Sequence, residues 1–460
     1  MKNLLQQLLK DKKVLILGYG REGKSTFRLL RSYFPGIQLA ISDANHLLRD
    51  ENSELQSDIT TVFSGEEYLN NINHFDLIIK SPGISLYKLG IDISPEKITS
   101  QTDIFLQVYA SQICGITGTK GKSTTSSLLH HITSCYSSNT LFAGNIGIPL
   151  FDLTSKIDHG TRIICELSSH QLEHISVAPH IGVLLNIFQE HLDHYSSYKA
   201  YQLSKLRIGQ KQSTDDYFLT SANDTVINSL LKEFTLPSQI LPATLSELTG
   251  IGAGLVNDYY TLKTKKNSFR LFPAKLEISL HGNHNRLNAI IAAAAAALTG
   301  IPEEAIIEGL QSFKPLKHRI EFAGVFNNKK FYNDSISTIP EATLAAIETL
   351  QPVHTLILGG FDRGIEYSAF INQICKSSIR YIVFTGPAGE RMFRILKSVS
   401  HTGAPFYEMA PDFETAILQA IKNTPKGEKC LLSPAASSYD RFNNFEERGD
   451  FFCELVSKQK

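Results

Sequence analysis

Short apolar runs, each closed by Gly, Ser, Asp or Asn and followed by helical periodicity, recur along most of this chain. They are "VLILG" (14–18), "LAISD" (39–43), "DLIIKSPG" (76–83), "ICGITG" (113–118), "RIICELSS" (162–169), "IGVLLNIF" (181–188), "TLILGG" (355–360), "YIVFTG" (381–386) and "KCLLSPAAS" (429–437). Runs of four to six residues without polar alternation suit strands buried on both faces, the situation in parallel sheets covered by helices. The expected class is therefore α/β. At 460 residues one core does not suffice. The pattern breaks near 95–105, where "SPEKITSQTDIFLQVY" reads as helical, and near 312–320, where "SFKPLKHRIE" reads as a linker. Three α/β domains are expected, 1–98, 99–313 and 314–460, with a weaker, more β-like stretch between 215 and 280.

Charge narrows the partners. Lys and Arg number 45 and Asp and Glu 45, so no charge excess points to a nucleic acid or a membrane surface. The most lipid-like stretch, "AIIAAAAAALTG" (289–300), has about half the length a bilayer requires and reads as a close-packed helix. The start, "MKNLLQQLLKDKKVLILG", lacks the uninterrupted apolar core of a signal peptide. Six cysteines without C-x-x-C spacing read as reduced thiols. A soluble, cytoplasmic, monomeric protein acting on small molecules is expected.

Two stretches end in the same letters, "LGYGREGKST" (17–26) and "GITGTKGKST" (115–124). The first meets the strict phosphate-loop spacing through Gly18, Gly23, Lys24 and Ser25. The second misses it, because Gly115 lies one residue too far upstream. A phosphate loop needs converging backbone amides, a lysine at the β/γ-phosphates and a hydroxyl on Mg²⁺. A triphosphate site also needs a further metal ligand at a neighbouring strand end. Only the second loop has such company: Glu166 closes one apolar run, and His191 and Asp193 follow another. Ser123, Glu166 and His191 can thus converge on one cation at the carboxyl edge of a parallel sheet. The first loop is followed by Asp43, the arrangement of a dinucleotide fold with Gly18, Gly20 and Gly23. Its glycines are equally what a tight strand-to-helix turn requires.

Further segments extend the pattern: "GNIG" (144–147), "ELSSHQLE" (166–173), "HLDHYSSYKAYQLSKLRI" (191–208), "GNHNRLNAIIAAAAA" (282–296), "HRIE" (318–321), "NDSIST" (333–338) and "LSPAASSYDRFNNFEERGDFF" (432–452). In order and spacing, over nearly the whole chain, they resemble the Mur ligases, and the last segment is most similar to the glutamate-adding branch. The resemblance implies a Rossmann-like N-terminal domain, a central P-loop ATPase-type domain and a Rossmann-like C-terminal domain. It implies ATP-dependent joining of glutamate to UDP-N-acetylmuramoyl-L-alanine through an acyl phosphate, in peptidoglycan precursor synthesis.

The resemblance also implies roles by residue. ATP falls to Gly118, Thr119, Lys120, Gly121, Lys122, Ser123 and Thr124, with Asn285, Asn288, Arg319 and Asp334. Two magnesium ions fall to Ser123, Glu166, His191 and a carbamylated Lys205, and the catalytic set is Lys122, Glu166, His191 and Lys205. The sugar nucleotide falls to Gly20, Arg21, Ser81, Pro82, Gly83, Asn145 and His191, and glutamate to Thr338, Arg363, Ser438 and Phe445. One segment departs from the family. Where glutamate-adding ligases usually carry a lysine, "DSISTIP" (334–340) has Ile336, with Pro340 close by. D-glutamate is the first expectation and L-glutamate the alternative. A more distant alternative is a nicotinamide-dependent dehydrogenase using Gly18, Gly20, Gly23 and Asp43, which leaves Glu166 and His191 idle.

Overall fold

A computed structural model describes the chain except residues 47, 146–147, 191–193, 281, 315–316, 399–404 and 459–460, and the side chains of 50, 51 and 341. The nine apolar runs all become strands, and the central ones are buried on both faces. The chain divides into two compact units, Met1–Phe313 and Lys314–Lys460.

The first unit holds two sheets. Across the five-stranded sheet the order is Thr60–Ser64, Leu39–Asp43, Val14–Leu17, Leu77–Lys80 and Ile98–Thr99, all parallel. Strand order reverses between Val14–Leu17 and Leu77–Lys80, so the turns after these strands face one crevice. The segment expected as helical near 95–105 opens with the single 3-10 turn Pro95–Lys97, is interrupted by the two-residue strand Ile98–Thr99, and continues as the helix Gln101–Tyr109. That strand is too short to show a period.

In the nine-stranded sheet the order is Ser268–Pro273, Tyr259–Lys263, Gly252–Val256, Gln239–Glu247, Tyr217–Ser221, Ile181–Leu184, Ile113–Thr117, Arg162–Glu166 and Thr140–Gly144. The last seven are parallel, and from Gly252–Val256 the chain continues through Pro273 as an antiparallel meander. The alanine-rich run lies in the helix Asn283–Leu298, where Ala292 to Ala296 are fully buried. Methyl side chains let this helix press on the sheet and on the helix Lys122–Tyr136. No helix among the described residues is long and apolar enough to cross a membrane.

The second unit carries a six-stranded sheet in the order Glu321–Phe326, Lys329–Asn333, Lys429–Leu432, Thr355–Gly359, Tyr381–Thr385 and Phe406–Met409. Only the first pair is antiparallel. All six cysteines are free thiols, with Cys114, Cys165 and Cys430 buried.

Helix Arg21–Tyr33 packs its first turn directly on the loop that precedes it. A Cβ at Gly23 would run into the Gly18 carbonyl, whereas one at exposed Gly36 would meet nothing within 4 Å. Gly23→Ala should lower the thermal midpoint by at least about 3 °C, and Gly36→Ala by no more than about 1 °C. Differential scanning calorimetry of the two variants checks this.

Candidate functional site

The strands Ile113–Thr117, Arg162–Glu166 and Ile181–Leu184 end side by side at one edge, with Ile116 in register with Glu166 and with Val183. The second glycine loop leaves the first of them and enters helix Lys122–Tyr136 through Gly121, whose φ of 83° lies in the left-handed region. A Cβ there would also crowd the Asn288 amide, at 3.1 Å. The loop is pinned from the third strand end. Asn186 accepts at its carbonyl from Thr119 N (2.9 Å) and at Oδ1 from Lys120 N (2.8 Å), and its Nδ2 donates to Lys120 O (3.0 Å). The Thr119 hydroxyl pairs with Tyr201 Oη at 2.8 Å and accepts from Phe188 N at 2.9 Å, and Lys120 Nζ meets Glu190 at 2.8 Å.

Thr119 and Lys120 therefore spend these groups on the loop's own shape. The amides of the first helical turn, Ser123 and Thr124 among them, are those that helix geometry leaves for an anion. Lys122 Nζ donates to the carbonyls of Gly118 (2.9 Å) and Thr119 (3.0 Å). Asn288 is buried, with its Nδ2 3.4 Å from Asn285 Oδ1.

Beside this loop, Glu166 is 1% exposed. Its Oε1 accepts from Asn145 Nδ2 at 2.8 Å, and its Oε2 has no hydrogen-bond partner among the described residues. Lys205, on helix Tyr198–Gln210, is buried and donates to Gly118 O at 2.9 Å. Burial drives its ammonium well below the ordinary lysine range and Lys122 adds to this, against the pull of Glu190 and Glu166. A buried carboxylate oxygen lacking a partner, a hydroxyl at a helix start and an amine prone to lose its proton suit a divalent cation at a phosphate loop. His191 lies outside the described residues. Among those that are described, no group of three or more His, Cys, Asp or Glu side chains forms a metal cluster by itself.

The first glycine loop is built differently. Ser25 is fully buried and donates to Asp152 Oδ1 at 2.6 Å, and Lys24 Nζ stands 5.8 Å from the centre of the Tyr19 ring. Asp43, at the next strand end, accepts from Tyr19 N (2.6 Å) and Asn45 N (2.9 Å). Its carboxylate is thereby engaged with the loop itself. Gly20, Arg21, Ser81, Pro82, Gly83 and Asn145 all line one cleft of about 480 Å³. Arg21 Nη2 reaches Asn145 O at 3.4 Å, and Asn145 links this cleft to Glu166.

In the second unit Asp334, Ser433 and Gly360 follow the ends of neighbouring strands. Asp334 accepts from Ile320 N (3.1 Å) and Ser433 Oγ (2.7 Å). Burial lifts its carboxyl to about 6, opposed by hydrogen bonds from Ser337 and Ser433 and by the charge of Arg319. Arg363 Nε donates to Ser437 Oγ at 3.1 Å, next to buried Ser438. The carbonyl of Phe445 accepts from Ser335 Oγ at 2.8 Å, and Thr338 is half-buried just after Asp334.

Several contributors escape a sequence reading. Arg448 is buried and binds Ser335 Oγ (2.9 Å), Ser335 O (2.8 Å) and Ala436 O (3.0 Å), while Nη1 lacks a partner among the described residues. Its signal was periodic: Arg448, Phe452 and Val456 recur every four residues on the buried face of one helix. Asn186, Glu22, Gln171 and Lys80 act through partners distant in sequence and leave no such trace.

A family model described as the Mur ligase middle domain matches residues 116–296. The UDP-N-acetylmuramoylalanine–D-glutamate ligase of Lacticaseibacillus paracasei is 33% identical over 469 residues, spanning 100% of this chain and 98% of that protein. The ligase of the same name from Desulfitobacterium hafniense is 32% identical over 461 residues and covers 98% of both. Among solved structures, a MurF ligase from Thermotoga maritima in complex with ADP superposes with a TM-score of 0.57 at 14% identity, covering 100% of each chain. That last likeness speaks for the fold alone.

Proposed function

This chain belongs to the Mur ligase family, and from that membership we propose that it ligates D-glutamate to UDP-N-acetylmuramoyl-L-alanine at the expense of ATP. The carrying observation is the contrast between the two glycine loops. Beside the second stands a buried carboxylate with one oxygen unpartnered, whereas the serine of the first is committed to Asp152. ATP is accordingly assigned to Gly118–Thr124 with Asn285 and Asn288, and the sugar nucleotide to the cleft at Gly20, Arg21, Ser81–Gly83 and Asn145. Glutamate is assigned to the second unit, around Thr338, Arg363, Ser438 and Phe445, the unit that also carries Arg319 and Asp334. Residues 1–98, 99–313 and 314–460 then divide the three substrates. The amino acid is D-glutamate because relatives matching the chain from end to end carry it in their names, despite Ile336.

The reaction brings a carboxylate to a triphosphate, so like charges must be offset before positioning can help. The alanyl carboxylate attacks the γ-phosphorus, the bond to the bridging oxygen breaks, and ADP leaves. The glutamate amine, having lost a proton, attacks the acyl phosphate carbon, and phosphate departs as the amide forms. Lys122 and the amides of the first helical turn neutralise the phosphates. Ser123, Glu166, His191 and Lys205 would hold Mg²⁺ at two positions, where bound magnesium offsets charge on the transferring phosphoryl group. Lys205 would act as a ligand once its unprotonated amine had added CO₂, which forms an N–C bond, releases one proton and leaves a carboxylate-like carbamate.

Two sets of variants test this reading in a phosphate-release assay. Lys122→Ala should lower kcat by at least about 10³-fold, while Lys24→Ala leaves the KM for ATP within about threefold of wild type. Loss of ATP binding in Lys24→Ala alone would reverse the assignment of the loops. Lys205→Ala should lose most turnover and regain part of it in bicarbonate or acetate, and full activity without either would remove the carbamate.

A further inference from the structure

A buried ammonium lies beneath one wall of the cleft. Lys80 ends the strand Leu77–Lys80, and its side chain is 1% exposed. Its Nζ donates to Ile84 O at 2.7 Å and Ser81 O at 3.4 Å, and stands 3.4 Å from Glu173 Oε2. Ser81 and Ile84 are the two ends of a single turn, closed by Ile84 N donating to Ser81 O at 3.3 Å. The lysine thus gathers both ends of the turn whose four residues line the cleft. From the same turn Ser81 Oγ donates to Gly18 O at 2.9 Å, which ties it to the first glycine loop.

Glu173 reaches this ammonium from the segment that follows Glu166 and the short helix Ser169–Leu172. Its Oε2 is also 3.5 Å from His194 Nε2 and 3.6 Å from His174 Nε2. A second tie runs parallel to the first: Ser85 Oγ donates to His194 O at 2.6 Å and accepts from Lys88 N at 3.2 Å. Burial presses the Lys80 ammonium down, opposed by Glu173 and Glu22. Burial also works to raise the Glu173 carboxyl, but the His194 hydrogen bond and the Lys80 charge outweigh it and hold it at about 2.

Stability of the sheet does not call for this pair. Leu77, Ile78 and Ile79 fill their places with apolar side chains, and a buried ion pair is often no more stabilising than hydrophobic residues of similar volume. What the ammonium adds is donors, aimed at two carbonyls of the turn.

We propose that Lys80 and Glu173 are positioning residues for the sugar nucleotide, their buried pair shaping the Ser81–Ile84 turn and locking it to the segment after Glu166. This rests on the reading of the cleft as the sugar-nucleotide site. The substrate meets the turn, while the pair stays behind it and touches no reacting atom.

Steady-state kinetics of the full chain, with each of the three substrates varied in turn, tests the clasp. Lys80→Met should raise the KM for UDP-N-acetylmuramoyl-L-alanine by at least about tenfold, leaving the KM values for ATP and D-glutamate within about twofold and kcat within about threefold. Adding Glu173→Gln to Lys80→Met should recover part of that loss, because the carboxylate is no longer left buried without its cation. Ser85→Ala removes one hydroxyl and should move the same KM in the same direction by about threefold, so it decides the matter if Lys80→Met fails to fold. Equal changes in all three KM values, or an unmoved sugar-nucleotide KM in both Lys80→Met and Ser85→Ala, would overturn the proposal. Arg21→Ala separates it from its premise. If Arg21→Ala raises that KM while the clasp variants do not, only the clasp is wrong. If Arg21→Ala leaves it unmoved, the assignment of the cleft fails.

Discussion

The triple hold of Asn186 on the second glycine loop is the interaction on which the shape of that loop depends. One side chain and its carbonyl, at the end of strand Ile181–Leu184, engage Thr119 and Lys120 of a loop that leaves the neighbouring strand. Parallel pairing places both strand ends at one edge, and Glu166 arrives there from the other side. The sheet therefore fixes loop and carboxylate together without a dedicated scaffold. Buried Lys205, bonded to Gly118 O, is affordable only inside such a rigid surround.

The same four letters have opposite fates in the two loops because their surroundings differ. In the first, Gly23 packs on Gly18 O and Ser25 is buried on Asp152, so the loop forms a tight corner at the edge of a cleft. In the second, the pinning contacts are made by Thr119 and Lys120, and the helix start at Ser123 and Thr124 stays available. Motif spacing describes the backbone route. The chemistry follows from what the serine and its neighbours touch.

Much of this was legible in the chain. Apolar runs mark strands buried on both faces, and all nine appear. Gly252–Pro273 was blurred because these strands are only partly covered, with burial that alternates poorly. Ile98–Thr99 was lost because two residues carry no pattern. Gly20, Arg21, Ser81, Pro82, Gly83 and Asn145 could be grouped by resemblance, and they share one cleft. The contacts that shape that cleft could not be foreseen, since Glu22 meets Gln171 and Lys80 meets Glu173 across long stretches of chain. Such pairs exist only once two sheets pack.

The central claim is that ATP and the sugar nucleotide occupy different glycine loops, and hydrogen–deuterium exchange of the full chain tests it most directly. With magnesium and a non-hydrolysable ATP analogue, protection should rise in peptides covering 117–125 and stay unchanged in those covering 17–26. With UDP-N-acetylmuramoyl-L-alanine alone, it should rise at 17–26 and 81–85. Protection of 17–26 by the ATP analogue, with 117–125 unaffected, would contradict the account.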